Sequence, residues 1–124
     1  IDSHLRRRIR DSMQGLGFMQ IQSLTLSNDD DQFNFIRLAP VGEVTRITNP
    51  ITIDHTLLRQ YLTPGLMRLL ASNQHHNLPQ SVYELGTVVR DHKNSDRVAF
   101  LVAESSKGSS SSIYERHWCT KLSN

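Results

Sequence analysis

The sequence predicts an α+β domain, an antiparallel sheet flanked by helices, on three observations. Leu5, Ile9, Met13 and Leu16 recur at three- and four-residue steps, the period of a helix with one apolar stripe. Ser81 to Arg90 and Arg97 to Ala103 are β-rich runs separated by a short polar stretch, so an antiparallel hairpin is the economical pairing. Between these regions, apolar stripes at helical spacing run from Leu57 to Leu70, broken at Thr63-Pro64.

Taken in order, Ser3 can cap the first helix and Gly17 offers a left-handed stop. Phe18 to Leu26 mixes β-formers with Gln and Ser and reads as a strand with one buried face, bulged near Gln22. Asn28 and Asp29 to Asp31 place negative charge at the start of a short helix carrying Phe33 and Ile36, ended by Pro40 and Gly42. Glu43 to Thr48 is β-branched and bounded by Asn49-Pro50, a strand entering a turn. Asp54 can cap a helix with Leu57, Leu58, Tyr61 and Leu62 on one stripe. Thr63-Pro64 then restarts a second helix that buries Leu66, Met67, Leu69 and Leu70 and fades before Pro79. In the hairpin, Gly86 marks a close backbone approach or a bulge, and Asp91 to Asp96 is read as the loop. After Glu104 the serine-rich composition cannot drive burial, so residues 1–104 form the core domain and 105–124 a linker and atypical tail.

A chain of 124 residues with 37% hydrophobic and 21% charged residues has the composition of one folded domain. No apolar run approaches the ~20 residues a bilayer crossing needs, so no membrane role is expected. The single cysteine, Cys119, can form no internal disulfide, which favours the cytoplasm. A net charge of +2 does not itself indicate nucleic acid, although Arg6, Arg7, Arg8 and Arg10 are concentrated at one end.

No catalytic residue and no metal ligand set is expected. Adjacent His75 and His76 project about 100° apart on a helix and cannot easily share an ion. Cys119 and the clustered serines lack a neighbour to act as base, and the glycines lack phosphate-loop spacing. Arg90, at the exit of an apolar strand, is the candidate ligand-binding residue, because a guanidinium can grip phosphate or carboxylate with two prongs. The plainer alternative is a hairpin-end ion pair with Asp91 or Asp96. Arg6, Arg7 and Arg10 are the candidate RNA-binding residues, with a solvated helix face as the plainer alternative, and Leu57, Leu58, Tyr61, Leu66 and Leu70 the candidate interface, with burial against the chain's own sheet as the plainer alternative.

The ordered series Asn49-Pro50, Leu57-Leu58-Arg59, Leu62, Pro64-Gly65-Leu66, Asn73, Leu78-Pro79-Gln80, Tyr83-Glu84 and Gly86 resembles the beta chain of phenylalanyl-tRNA synthetase, in its archaeal and eukaryotic form. Ile9 to Leu26 is similar to the helix and strand that open the same domain, so the resemblance covers Leu5 to about Glu104. It implies a partial class II aminoacyl-tRNA synthetase-like fold. In catalytic class II chains the corresponding hairpin supplies an arginine to the ATP phosphate, and Arg90 falls near that place. The beta chain has lost the catalytic signatures, so the resemblance implies a non-catalytic structural domain.

The implied partner is the catalytic alpha subunit, within a cytoplasmic heterotetramer that ligates phenylalanine to tRNA. ATP and magnesium belong to that full complex and none to this domain; tRNA is met through the complex. The alternative is a stand-alone synthetase-like binding module for protein or RNA, without ligase activity. The chain resembles a fragment of the subunit, and a half-sheet with open edges is expected to self-associate.

Overall fold

The computed structural model describes residues 3–72, 80–104 and 110–117. Helix α1, Ser3–Gly15, stops where Gly17 turns left-handed at φ +89°, and Gly17 N–H closes the end on Gln14 O. The predicted strand from Phe18 to Leu26 is split into β1, Met19–Gln20, and β2, Leu26–Ser27. The chain leaves the sheet after Ile21, whose N–H bonds Tyr83 O, and Ser23 turns inward to serve a buried carboxylate.

A five-residue π-helical turn, Asp30–Asn34, follows and buries Phe33. Its entry is held by Asn28, whose Oδ1 accepts Asp31 N–H at 2.9 Å. The predicted strand from Glu43 to Thr48 is reduced to one bridge, Arg46 to Leu57.

The helix predicted from Asp54 to Leu62 does not form. Leu57–Leu58 is strand β3, paired antiparallel with β2. The neighbouring chain explains the difference: Thr56 and Arg59 N–H bond Ser27 and Thr25, and Leu58 N–H bonds Thr45. An apolar run this short fits either period, and here tertiary pairing decides. Helix α2, Thr63–Ser72, begins at the predicted Thr63-Pro64.

Strands β4, Gln80–Arg90, and β5, Lys93–Glu104, form the long antiparallel hairpin. Its turn is only Asp91-His92, both left-handed at φ 53° and 59°, so the predicted loop residues Lys93 to Asp96 are strand. Two left-handed residues match the twist of the strands they join. Asp91 holds the turn by accepting Glu43 N–H at 2.7 Å.

Strand β6, Ser110–His117, corrects the linker reading of residues 110–117: it pairs with β5 over eight residues. Serine-rich composition is a poor core but no obstacle to a ladder built from backbone groups. The sheet order is β1-β4-β5-β6, with β1 parallel to β4 and the other pairs antiparallel. The sheet is therefore mixed at one edge, where an antiparallel sheet was expected.

Two cores flank the hairpin. On one face Leu62 and Leu66 pack with Val82, Val88, Ala99 and Leu101. On the other, Leu5, Ile9 and Met13 of α1 cover Tyr83 and Leu85, and Phe18 meets Phe100 edge to face at 5.7 Å. Burying each Leu or Val contributes about 1.5–3 kcal/mol. Among the described residues no helix is long and apolar enough to cross a membrane.

Candidate functional site

The α2-side face of β4 is occupied residue by residue by the segment 59–62 and by α2. Val82 and Val88 meet Leu62 and Leu66. Between them lie Glu84 and Gly86, and over these sits the guanidinium of Arg59. Arg59 Nη1 donates to Glu84 Oε2 at 3.0 Å, and Arg59 Nε donates to Thr87 O at 2.9 Å. Ser23 completes the group: its N–H and Oγ donate to the two Glu84 oxygens at 3.1 and 2.8 Å. A Cβ at position 86 would lie 2.6 Å from Arg59 Nη2, so any other residue there requires the guanidinium to shift. Where the sequence suggests a close backbone approach or a bulge at Gly86, the structure has an unbroken ladder and the close approach of the Arg59 side chain.

Gln60 and Tyr61 are held by amide side chains in place of a ladder. Gln32 Oε1 accepts the N–H of both Gln60 and Tyr61, at 2.8 and 3.0 Å. The buried Gln60 amide accepts Val41 N–H and donates to Val41 O, both at 2.8 Å.

Arg90 closes this row. Its Nε donates to Gln60 O at 3.0 Å, and its guanidinium lies 4.9 Å from the Tyr61 ring centre. Among the described residues no ion pair joins it to Asp91 or Asp96, and Asp91 accepts Glu43 N–H. Burial, with the nearby Arg97 charge, lowers its pKa from the usual arginine range, yet it stays a cation. One buried nitrogen, Nη2, has no hydrogen-bond partner among the described residues.

A further carboxylate ties β6 to α2. Glu115 Oε1 accepts Leu62 N–H, Thr63 N–H and the Thr63 hydroxyl at 2.8, 2.7 and 2.6 Å, capping the helix. Its Oε2 receives Arg97 Nε at 2.5 Å.

Of the predicted interface, Leu57 and Leu66 are fully buried in the chain's own core, which removes them from any surface. Leu58, Tyr61 and Leu70 keep partial exposure. Arg6 and Arg7 are exposed on α1 and Arg10 is half-buried beside Tyr83. Burial raises the Tyr83 phenol pKa, with the Arg10 charge opposing the shift. His75, His76 and Cys119 lie outside the described residues. Among the described residues no group of three His, Cys, Asp or Glu is placed to hold a metal. A cleft of about 490 Å³ lies beside the row, lined by Ser23, Leu24, His55, Pro64 and Leu69 among others.

Sequence reasoning did not single out Glu84, Ser23, Gln32, Gln60 or Glu115 as a connected group. The available signal was Arg59 and Glu84 in a chain segment otherwise patterned for burial: charges there need partners.

Residues 2–117 match the family described as the phenylalanyl tRNA synthetase beta chain CLM domain. The chain belongs to that family. Its relatives include the phenylalanine–tRNA ligase beta subunit of Methanothrix thermoacetophila, 38% identical over 84% of this chain and 19% of that protein. The beta subunit of Methanopyrus kandleri is also 38% identical, over 65% of this chain and 14% of that protein. The chain therefore spans about a fifth or less of the length of these curated relatives.

Among solved structures, a Bacillus halodurans ATP phosphoribosyltransferase regulatory subunit/histidyl-tRNA synthetase superposes with TM-score 0.68 at 13% identity, over 85% of this chain and 28% of that one. The pyrrolysyl tRNA synthetase of Desulfitobacterium hafniense gives 0.64 at 17% identity, over 81% of this chain and 37% of that one. At such identities the likeness fixes the fold alone, that of class II aminoacyl-tRNA synthetase-like proteins. The family match runs through β6, so the strand at 110–117 is part of the family's domain.

Proposed function

We propose that the chain is a non-catalytic structural domain of a phenylalanyl-tRNA synthetase beta subunit, supporting the alpha-beta assembly that ligates phenylalanine to its tRNA. The observation that carries this reading is the inward commitment of Arg90 to Gln60 O and the Tyr61 ring. The cation that the hairpin could offer a phosphate is used as an internal strut, and the β4 face around it is filled by Arg59, Leu62 and Leu66. In this reading ATP and magnesium act on the catalytic alpha subunit, tRNA is engaged by the full heterotetramer, and the complex works in the cytoplasm.

The packing surface then falls to apolar side chains left in solvent. Phe35 and Ile53, 72% and 86% exposed, line one shared cleft, and Leu24 is 66% exposed. The test is size-exclusion chromatography with light scattering, with and without a catalytic alpha subunit. Co-elution as one complex, weakened by Phe35→Asp with Ile53→Asp, is the expected result. A folded chain that elutes alone beside the alpha subunit overturns the proposal.

A further inference from the structure

We infer that the cleft flanked by Phe35 and Ile53 receives an arginine of the catalytic alpha subunit, held between the Phe35 ring and the carboxylates of Asp30 and Asp54. The inference rests on the assembly reading above and adds the chemistry that the partner must bring. One side chain clamps the two walls of the cleft together. Asn28 Oδ1 accepts Asp31 N–H at 2.9 Å, and Asn28 Nδ2 donates to Asp54 O at 3.1 Å. Asp54 N–H in turn bonds Thr52 Oγ1 at 3.2 Å. The cleft of about 450 Å³ between the π-helical turn and the loop after Pro50 is therefore formed before any partner arrives, which lowers the ordering cost of docking.

Charge is unevenly balanced along these walls. Asp29 receives both Arg46 Nη atoms, at 2.8 and 3.0 Å, and Asp31 pairs with Arg68. Asp30 and Asp54 line the same cleft, and among the described residues neither forms an ion pair. These two carboxylates leave the cleft negative, which favours a cationic occupant and disfavours a phosphate backbone. A bare metal ion is poorly served, because among the described residues no three His, Cys, Asp or Glu side chains converge.

The apolar side chains select among cations. Phe35 and Ile53 stand in solvent on this cleft, and Ile51, two residues before Ile53, is fully exposed. A merely solvated acidic face has no use for them, whereas a docking surface gains by covering them. An arginine answers both features at once. Its guanidinium forks onto carboxylates, its flat face lies on an aromatic ring, and it is more weakly hydrated than a lysine ammonium on entering an interface. The partner segment therefore carries an arginine next to apolar side chains that cover Ile51 and Ile53.

The test is the affinity of the full chain for a catalytic alpha subunit, measured by calorimetry at about 50 and about 300 mM salt. D30N/D54N keeps the shape of the cleft, and the bond that Asn34 Nδ2 makes to Asp30 Oδ1 at 2.8 Å can pass to the new amide oxygen. This variant is expected to bind about tenfold or more weakly at the lower salt, with a flatter salt dependence. D30E/D54E is expected to stay within about threefold and to keep the salt dependence. F35L, which stays apolar but loses the ring face, is expected to weaken binding by about threefold. D11N/E43Q, which removes two exposed carboxylates elsewhere, stays within about twofold. If D30N/D54N loses its fold by circular dichroism, D54N alone is expected to weaken binding by about threefold. Affinity and salt dependence unchanged in D30N/D54N overturn the inference and leave the assembly reading standing, whereas no complex with the wild-type chain overturns both. Self-association of the chain that D30N/D54N abolishes would make a second copy the occupant and also overturn the inference.

Discussion

Arg59 Nη1 lies 3.0 Å from Glu84 Oε2, with the two side chains only 6% and 2% exposed. The pair fastens the segment 59–62 against β4, and Val89 N–H bonds Arg59 O at 2.8 Å on the same segment. Removing one partner strands the other charge in the interior, which costs about 3–5 kcal/mol. Arg59→Met and Glu84→Leu are each expected to cost that much in urea unfolding, and the double variant less than their sum. Purely additive losses would show that the two charges do not depend on each other.

At Gly86 the space for a side chain is already taken. A Cβ there lies 2.6 Å from Arg59 Nη2 and 2.9 Å from Leu62 Cδ2. Gly86→Ala is expected to destabilise by about 1–3 kcal/mol, measured as a lowered midpoint in denaturant. An unchanged midpoint would mean that the guanidinium moves aside freely.

Glu115 joins the last strand to the start of α2 and to Arg97. Glu115→Ala leaves Leu62 and Thr63 N–H and the Arg97 cation without their acceptor, a loss of about 3 kcal/mol or more. Hydrogen exchange is the sensitive probe: amides of α2 and β6 are expected to lose protection together. Faster exchange in β6 alone would show that the strand is not coupled to the helix.

The exposed pair of Asp29 and Arg46, at 2.8 Å, gives a small acid dependence. The hydrogen bond from Arg46 lowers the Asp29 pKa below the ordinary carboxylate value, against an opposing effect of burial. A lowered folded-state pKa contributes stability that is present above the unfolded pKa and lost as pH falls through the folded one. With side chains 57% and 44% exposed, the contribution is less than about 1 kcal/mol. In Arg46→Gln the Asp29 carboxyl, followed by NMR titration, is expected to shift upward and the acid limb of stability to flatten.

The helix-strand-helix-hairpin frame was legible because α1, α2 and the hairpin carry strong local signals: Leu5-Ile9-Met13, Thr63-Pro64, and apolar runs either side of Asp91. What escaped depends on distant partners. Leu57-Leu58 reads as helix until Leu26-Ser27 supplies a ladder, and residues 110–117 read as linker until β5 does. The site was legible only in part. Gly86 suggested a close backbone approach or a bulge, but that the Arg59 side chain fills the place, and that Arg90 turns back onto Gln60 and Tyr61, follows from the path of a coil segment with no periodicity of its own.

The proposed non-catalytic role turns on Arg90, a hairpin arginine held as a strut by Gln60 O and the Tyr61 ring. Isothermal calorimetry of the full chain with magnesium-ATP tests this most directly. No saturable heat in the millimolar range is the expected result, for the wild-type chain and for Arg90→Gln alike. Saturable binding at one site per chain, abolished by Arg90→Gln in a folded variant, would contradict it.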